Sequence, residues 1–212
     1  MLMVNAALAA GGSDLTVRVL VYNYARVSNR VLGPAEREAS RIFAAAGVDT
    51  RWVDCLGQAR FGGAPSPPAR AANADCDGPV KGAIPLRILL RSTPAHGAVP
   101  DALFGFANSS DLASVFYQRV EDLAWGADEN GNEIPLILGD VMAHELGHLL
   151  LGTGSHAPSG IMRAVWDREF LQLALRGRQL FTAEQSRLLR AKVLRRQQET
   201  MLALDSGQDT GM

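Results

Sequence analysis

Three of the four histidines in this chain of 212 residues lie between positions 144 and 156. They are His144, His148 and His156, and Glu145 directly follows the first of them. A buried imidazole is costly unless a partner satisfies its ring nitrogens, so this crowding predicts a shared chemical role. The pattern H-E-x-x-H at residues 144–148 predicts that the role is metal binding.

The segment from Pro135 to Gly152 is strongly apolar and predicts a helix that ends at the glycine. On a helix His144 and His148 project from the same face, with about 5–6 Å between their Cβ atoms, so they can share one metal ion. Glu145 is rotated by about 100° from His144, which favours contact with a water on the metal over metal ligation. We therefore predict that Glu145 is the catalytic base.

Zinc suits these donors, because catalytic zinc sites combine three protein ligands with a water molecule. Gly152 and Gly154 would let the chain leave the helix sharply, so His156 is the predicted third ligand of one catalytic Zn²⁺ ion. Such an ion would lower the pKa of its water toward about 7, and Glu145 would take the proton. The predicted chemistry is metal-assisted hydrolysis of a peptide bond. The fourth histidine, His96, is interpreted as a loop residue without a role.

The elements before this helix predict a β-rich framework. Leu15–Val27 alternates and predicts a strand, and the next segment predicts a helix with Pro34 in its first turn and Gly47 as its C-terminal cap. Residues 48–55 and 84–91 predict two further strands. Two runs at 102–110 and 112–120 predict a strand, turn and strand, one of them at a sheet edge. After the histidines, Thr182 and Gln185 have the spacing of a capping box that opens a last helix.

Composition limits the classes of protein to which the chain can belong. With 22.7 kDa and 47% hydrophobic residues, we predict a single domain over residues 1–212. A net charge of −1 provides no positive field, so no nucleic-acid partner is expected. No transmembrane segment is expected, because polar residues interrupt the most apolar stretch, 134–151. The sequence makes no prediction of the oligomeric state.

The two cysteines, Cys55 and Cys76, bracket a segment rich in Gly, Ala and Pro that has no helical or strand periodicity. We predict a disulfide between them, which could add roughly 3 kcal/mol by closing this loop. Disulfides persist in oxidising compartments, so the expected location is secreted or periplasmic.

From Pro135 to Met162 the chain resembles the zincin metallopeptidases, specifically the metzincins, whose sites combine H-E-x-x-H, a glycine, a third histidine and a methionine-containing turn. The sequence SGIM at Ser159–Met162 is similar to that turn, which implies that Met162 forms the apolar floor beneath the metal. The metzincin glycine and third histidine come three and six residues after the second histidine, where this chain has Leu151 and Gly154. The spacing therefore assigns no metzincin subfamily.

The resemblance implies an α+β, zincin-like fold. Its upper subdomain, about residues 13–152, would hold a twisted mixed β-sheet, a backing helix and the active-site helix. The lower subdomain, about residues 153–212, would be mostly irregular or helical. A protein or peptide substrate would bind as an added β-strand along the edge strand, for which residues 104–108 (FGFAN) or the neighbouring strand are the candidates. Residues 156–160 and 163–167 would shape a specificity pocket.

Two other functions fit the same motif. In a non-catalytic binding protein the zinc would only hold the fold together, but structural zinc sites are usually closed by four protein ligands and do not need Glu145. In a gluzincin-like peptidase, Glu169 or Asp167 on a following helix would replace His156 as the third ligand.

Overall fold

The computed structural model describes residues 15–56, 76, 82–91, 104–108, 112–127, 131–152 and 154–208. The residues before Leu15, most of the segment between the two cysteines, and the predicted turn at 109–111 lie outside this part of the chain. His96 lies outside it too, so its interpretation as a loop residue stays a prediction.

Five strands and five helices lie in the described residues, in the chain order β1, α1, β2, β3, β4, β5, α2, α3, α4, α5. The strands are β1 Thr16–Asn23, β2 Asp49–Asp54, β3 Ala83–Leu89, β4 Gly105–Asn108 and β5 Leu112–Phe116. The helices are α1 Asn29–Ala45, α2 Tyr117–Ala127, α3 Ile134–Leu151, α4 Arg168–Ala174 and α5 Ala183–Gln208.

The strands form one mixed sheet in the order β2-β1-β3-β5-β4. β1 pairs in parallel with β2 and β3, β3 pairs in parallel with β5, and β4 is antiparallel to β5. In this last pair Gly105 lies opposite Val115. The predicted α+β class with a mixed sheet is confirmed, and so is the position of residues 105–108 at an edge of that sheet.

The sheet has two faces, and β1 distributes its side chains between them. Val17, Val19 and Val21 join the main hydrophobic cluster with residues of α1 and α3. Leu20 points to the opposite face, where it packs with Val53, Ala83 and the two cysteines. This period of two is the pattern expected for a strand covered on both sides.

The predicted disulfide between Cys55 and Cys76 is confirmed, with an S–S distance of 2.01 Å. The bridge covers the sheet face at Leu20 and Val53, next to the end of β2. A disulfide is typical of extracellular or periplasmic proteins.

α1 and α3 pack closely side by side, and α1 is the backing helix. A Cβ atom on Gly139 of α3 would lie 2.6 Å from the Ala35 carbonyl oxygen and 2.7 Å from the Glu38 Cβ. Only glycine allows this separation between the two helices. The close packing fixes α3, which carries H-E-x-x-H, relative to α1.

The predicted start of α1 was wrong. The helix begins at Asn29, after Ser28 in an extended conformation, so Pro34 lies inside the helix and not in its first turn. The amides of Val31 and Leu32 already bond to the Ser28 carbonyl, which closes the first turn before the proline is reached. Gly47 does end the helix as predicted, with a positive φ of 78°.

The second predicted strand of the 102–120 region is too long, because β5 ends at Phe116 and α2 begins at Tyr117. Val120 and Ala124 are both fully buried and lie four residues apart, which is helical and not strand spacing. The capping box of α5 is confirmed: the Thr182 amide donates to Gln185 Oε1 at 2.9 Å, and the Gln185 amide donates to Thr182 Oγ1 at 3.3 Å.

α3 is the one helix among the described residues that is long and apolar enough to cross a membrane by length and composition, with a mean hydropathy of 1.3. However, 83% of its length is buried inside the protein. Helices at the centre of a globular core have the same length and composition.

Candidate metal centre

The C-terminal half of α3 carries the first two histidines. His144 and His148 are each 7% exposed. α3 ends at Gly152, whose φ of 110° is open to glycine but strained for other residues. The Ser155 amide bonds back to the Gly152 carbonyl, and this turn directs the chain to His156, which is exposed.

The three histidine side chains converge on one point. His148 Nε2 lies 3.0 Å from His144 Nε2 and 3.1 Å from His156 Nε2, and the donor atoms of the group all lie within 4.8 Å of one another. Two nitrogens bound to one tetrahedral zinc at 2.0–2.1 Å would be roughly 3.3 Å apart. The two separations from His148 are close to that value, so the group could hold a zinc ion. Among the described residues, no other group of three or more potential ligands is close enough together to hold a metal.

The hydrogen bonds of the imidazoles leave the converging nitrogens available. His144 Nδ1 lies 2.8 Å from the Ile161 carbonyl oxygen, which can only accept, so Nδ1 carries the hydrogen and Nε2 keeps its lone pair in the neutral ring. His148 Nδ1 lies 3.0 Å from Ser155 Oγ. Outer contacts of this kind fix the tautomer and the ring orientation of metal-binding histidines.

Burial also favours the neutral form that a metal ligand requires. The pKa of His144 is lowered to about 3, mainly by burial and also by the nearby rings of His148 and His156, against the hydrogen bond to Ile161. The pKa of His148 is lowered to about 4, mainly by burial and then by His156. Both imidazoles are thus unprotonated at neutral pH, as zinc binding needs.

Glu145 lies beside this group, 3% exposed. Burial raises the pKa of its carboxyl to about 8, so the side chain is able to exchange a proton near neutral pH. The carboxylate lies against β4: a Cβ atom on Gly105 would be 2.5 Å from Glu145 Cγ, Cδ and Oε1.

Met162 is fully buried and packs under α3. A Cβ atom on Gly147 would lie 2.5 Å from Met162 Sδ and 3.0 Å from Phe181 Cε1. The glycine of HELGH therefore lets Met162 approach the helix between the two histidines. Met162 therefore packs against the helix that carries the two histidines, and its role as the apolar floor beneath a metal stays a prediction.

Aromatic side chains border the site next to His144. The Trp166 ring lies with its centroid 5.8 Å from that of His144, 5.3 Å from Phe104 and 4.2 Å from Phe170. Trp166 Nε1 donates to the Arg163 carbonyl at 3.2 Å, so its polar group is satisfied within the turn. Because Phe104 precedes β4 and Trp166 precedes α4, this contact joins the edge strand to the segment that follows the histidines.

The alternative ligands Asp167 and Glu169 are outside the converging group. Asp167 caps α4: its Oδ1 accepts from the Phe170 amide at 2.9 Å, and its Oδ2 pairs with Arg163 at 2.5 Å. These contacts lower the pKa of Asp167, the bond from Phe170 most. Glu169 is exposed in the first turn of α4.

Sequence reasoning did not single out three contributors to the site. Ser155 and the Ile161 carbonyl contact imidazoles from the loop after α3, and no local pattern distinguishes them from other loop groups. Gly105 was noted only as part of the edge strand. A glycine inside a predicted strand is a signal of close approach, and this signal could have identified it.

No protein-family model and no curated protein matches this sequence. A crystal structure of a zinc-dependent peptidase from Methanocorpusculum labreanum (strain Z) is similar in fold, with a TM-score of 0.51 and 18% sequence identity. The likeness covers 81% of this chain and 99% of that one. This chain therefore has a fold similar to that of a zinc-dependent peptidase, and three of its histidines could form a metal site within that fold.

Proposed function

We propose that this protein is a zinc-dependent endopeptidase of metzincin-like type, with His144, His148 and His156 as the ligands of one zinc ion. The observation that carries the proposal is the convergence of three imidazole nitrogens beside the buried carboxylate of Glu145. The fold of a zinc-dependent peptidase, found at low identity, is consistent with it.

Each residue of the site has a defined task in this reaction. A zinc ion held by the three imidazoles supplies Lewis acidity toward the scissile carbonyl and lowers the pKa of a nearby water. Glu145 removes a proton from that water and later donates it to the leaving amine, so its raised pKa matches both steps. Ser155 and the Ile161 carbonyl keep two imidazoles oriented. Met162 supports them from below.

The substrate is proposed to bind as a strand along the outer edge of β4. In the described part of the chain, β4 has a strand neighbour on one side only. Its other side leaves main-chain groups for a peptide along the proposed substrate cleft, between β4 and the three histidines. Trp166 and Phe104 border the cleft beside His144 and would shape an apolar pocket for a substrate side chain. The disulfide supports a secreted or periplasmic site of action.

Both alternatives have less support. A gluzincin-like site would need Asp167 or Glu169 as a ligand, yet Asp167 is engaged in the cap of α4 and Glu169 is exposed. A binding protein stapled by zinc would leave Glu145 without a task, although burying this carboxylate costs free energy.

The test combines metal analysis with hydrolysis of a generic protein such as casein. The purified chain should carry one zinc ion and cleave casein, and a chelator should abolish the cleavage. In Glu145→Gln the zinc content should remain while kcat falls by roughly three orders of magnitude or more, because the base is lost but the ligands are kept. Zinc binding without hydrolysis would favour the binding protein, and failure to bind zinc would reject both.

A further inference from the structure

We infer that Gly105 of β4 is a positioning residue for Glu145, and that it aligns a peptide substrate with that carboxylate. The inference rests on the proposed function, since it concerns the same cleft. It assigns to one edge-strand glycine two tasks: its missing side chain leaves space for the base, and its main chain faces the substrate.

The three atoms nearest to the space beside Gly105 all belong to the Glu145 side chain. A Cβ atom at Gly105 would lie 2.5 Å from Cγ, Cδ and Oε1 of that side chain. Real Cβ contacts at this distance are repulsive, so any larger residue at position 105 must displace the carboxylate. The backbone itself does not require glycine, because its φ is not in the positive range.

Glu145 has little freedom to absorb the displacement. It is 3% exposed, and its neighbours along α3, Leu146 and His144, are 1% and 7% exposed. A carboxylate pushed from β4 could move only out of its packed position, which changes its distance from the imidazole nitrogens. A methyl group at position 105 should therefore change the orientation of the Glu145 side chain.

The hydrogen-bond pattern of the β4–β5 pair gives the second task. The Phe116 amide donates to the Phe104 carbonyl at 2.8 Å, and the next pair in register is Phe106 with Ser114. In an antiparallel pair these groups alternate, so the N–H and C=O of Gly105 point away from β5, toward the outer edge. A peptide strand added there would meet Gly105 next to Glu145. This fixes which substrate residue lies beside the base.

A glycine that only fills a strand position makes a different prediction. Alanine is preferred over glycine in strands, so without the contact Gly105→Ala would leave stability unchanged or slightly higher. With the contact, the variant should be destabilised, and removal of the Glu145 side chain should abolish that effect. The sign of the change therefore separates the two possibilities.

The experiment is a double-mutant cycle of Gly105→Ala with Glu145→Ala, read by thermal unfolding and zinc titration. Gly105→Ala alone should lower the Tm by several degrees, while in the Glu145→Ala background it should leave the Tm equal or higher. Zinc affinity should change less than threefold throughout. Gly33→Ala on α1 is the control, because its Cβ would meet only Arg37 Nη1 at an ordinary 3.6 Å.

Enzyme activity is the second readout, because it would not change if Gly105 mattered only for packing. Gly105→Ala should lower kcat on casein peptides more than tenfold with little change in KM. If Gly105→Ala does not fold but the double variant with Glu145→Ala does, the contact is supported.

Equal Tm losses in both backgrounds, or unchanged kcat in Gly105→Ala, would overturn the inference. If no variant, including the wild type, hydrolyses peptides, the proposed function fails while the Tm cycle still decides whether Gly105 makes room for Glu145.

Discussion

Two buried carboxylates lie five residues apart on α3 and have opposite surroundings. Glu145 faces the cleft, and Asp140 faces the backing helix α1 and is fully buried. Burial raises the pKa of both, to about 8 for Glu145 and well above its usual range for Asp140. Glu145 lies against Gly105 of β4, and it directly follows His144, one of the three imidazoles that converge. Around Asp140, neither carboxylate oxygen has a hydrogen-bond partner within the described part of the chain.

The difference shows that burial alone does not make a site. At the cleft, the imidazoles turn their lone pairs toward one point, where a cation would offset the cost of burying polar groups. At the back, the nearest charges are Glu38 and Arg41, which pair with each other at 2.5 Å. The Glu38 charge raises the pKa of Asp140 further, and Arg41 only partly opposes it. A perturbed carboxyl at the back is thus a source of instability.

The largest predicted effect is on zinc affinity and concerns His156. His156→Ala should weaken zinc binding a hundredfold or more, about 2.7 kcal/mol, because it removes one of three converging donors. Glu169→Ala, on the exposed side of α4, is the matched control and should leave the affinity nearly unchanged. Zinc titration against a competing chelator measures both.

The reverse order of effects would mean that the metal is held by a carboxylate from α4. That outcome would move the protein to the gluzincin-like class and leave the convergence of the third histidine unexplained.

Ser155→Ala should have a smaller effect at the same end of α3. The hydroxyl contacts His148 Nδ1 at 3.0 Å, and loss of such an outer partner typically costs about tenfold in metal affinity. Ser159→Ala, in the same loop and exposed, is the control. A zinc affinity equal to wild type in Ser155→Ala would show that Gly152 and the helix orient His148 without the hydroxyl.

The sequence predicted the cleft end of α3 better than the back. The two proposed ligands His144 and His148 and the proposed base Glu145 lie in one helical turn, so their spacing alone defines their geometry. His156 was within reach because the glycines after α3 permit a sharp turn. Ser155 and the Ile161 carbonyl depend on the path of the loop, which is fixed by contacts such as the Ile161 amide to the Leu180 carbonyl. Such distant pairings leave no local pattern.

The parts of the fold that were predicted are also those with local signals in the sequence. Strands with alternating side chains and the capped helix α5 carry local signals, and both were confirmed. The start of α1 and the presence of α2 were missed, because tertiary packing decides where Val120 and Ala124 are buried. Asp140 looked like a polar break in an apolar run. Its burial results from the close approach of α1 to Gly139, which no single segment encodes.

The smallest predicted effect concerns Asp140, the buried carboxyl that faces α1. Asp140→Asn should raise the Tm by about 2–4 °C at pH 8, for roughly 1 kcal/mol of stability, because a neutral side chain replaces a carboxyl that must either ionise in an apolar environment or stay protonated above its ordinary pKa. Asp122→Asn, the same change on the exposed side of α2, is the control and should have no effect.

The raised pKa of Asp140 predicts the direction in which stability changes with pH. The carboxyl of Asp140 binds its proton more tightly in the folded state than in the unfolded state, so the folded protein holds more protons between the two pKa values. Stability must then fall as pH rises above about 4, the ordinary aspartate pKa, until the raised pKa is passed. The gain from Asp140→Asn should therefore be near zero at pH 4 and grow toward pH 8. Chemical denaturation of metal-free wild type and variant at each pH isolates this difference, since the titration of Glu145 is common to both. A gain that is constant with pH would mean that the pKa of Asp140 is the same in the folded and unfolded states, so that the carboxyl finds a partner that this packing does not provide.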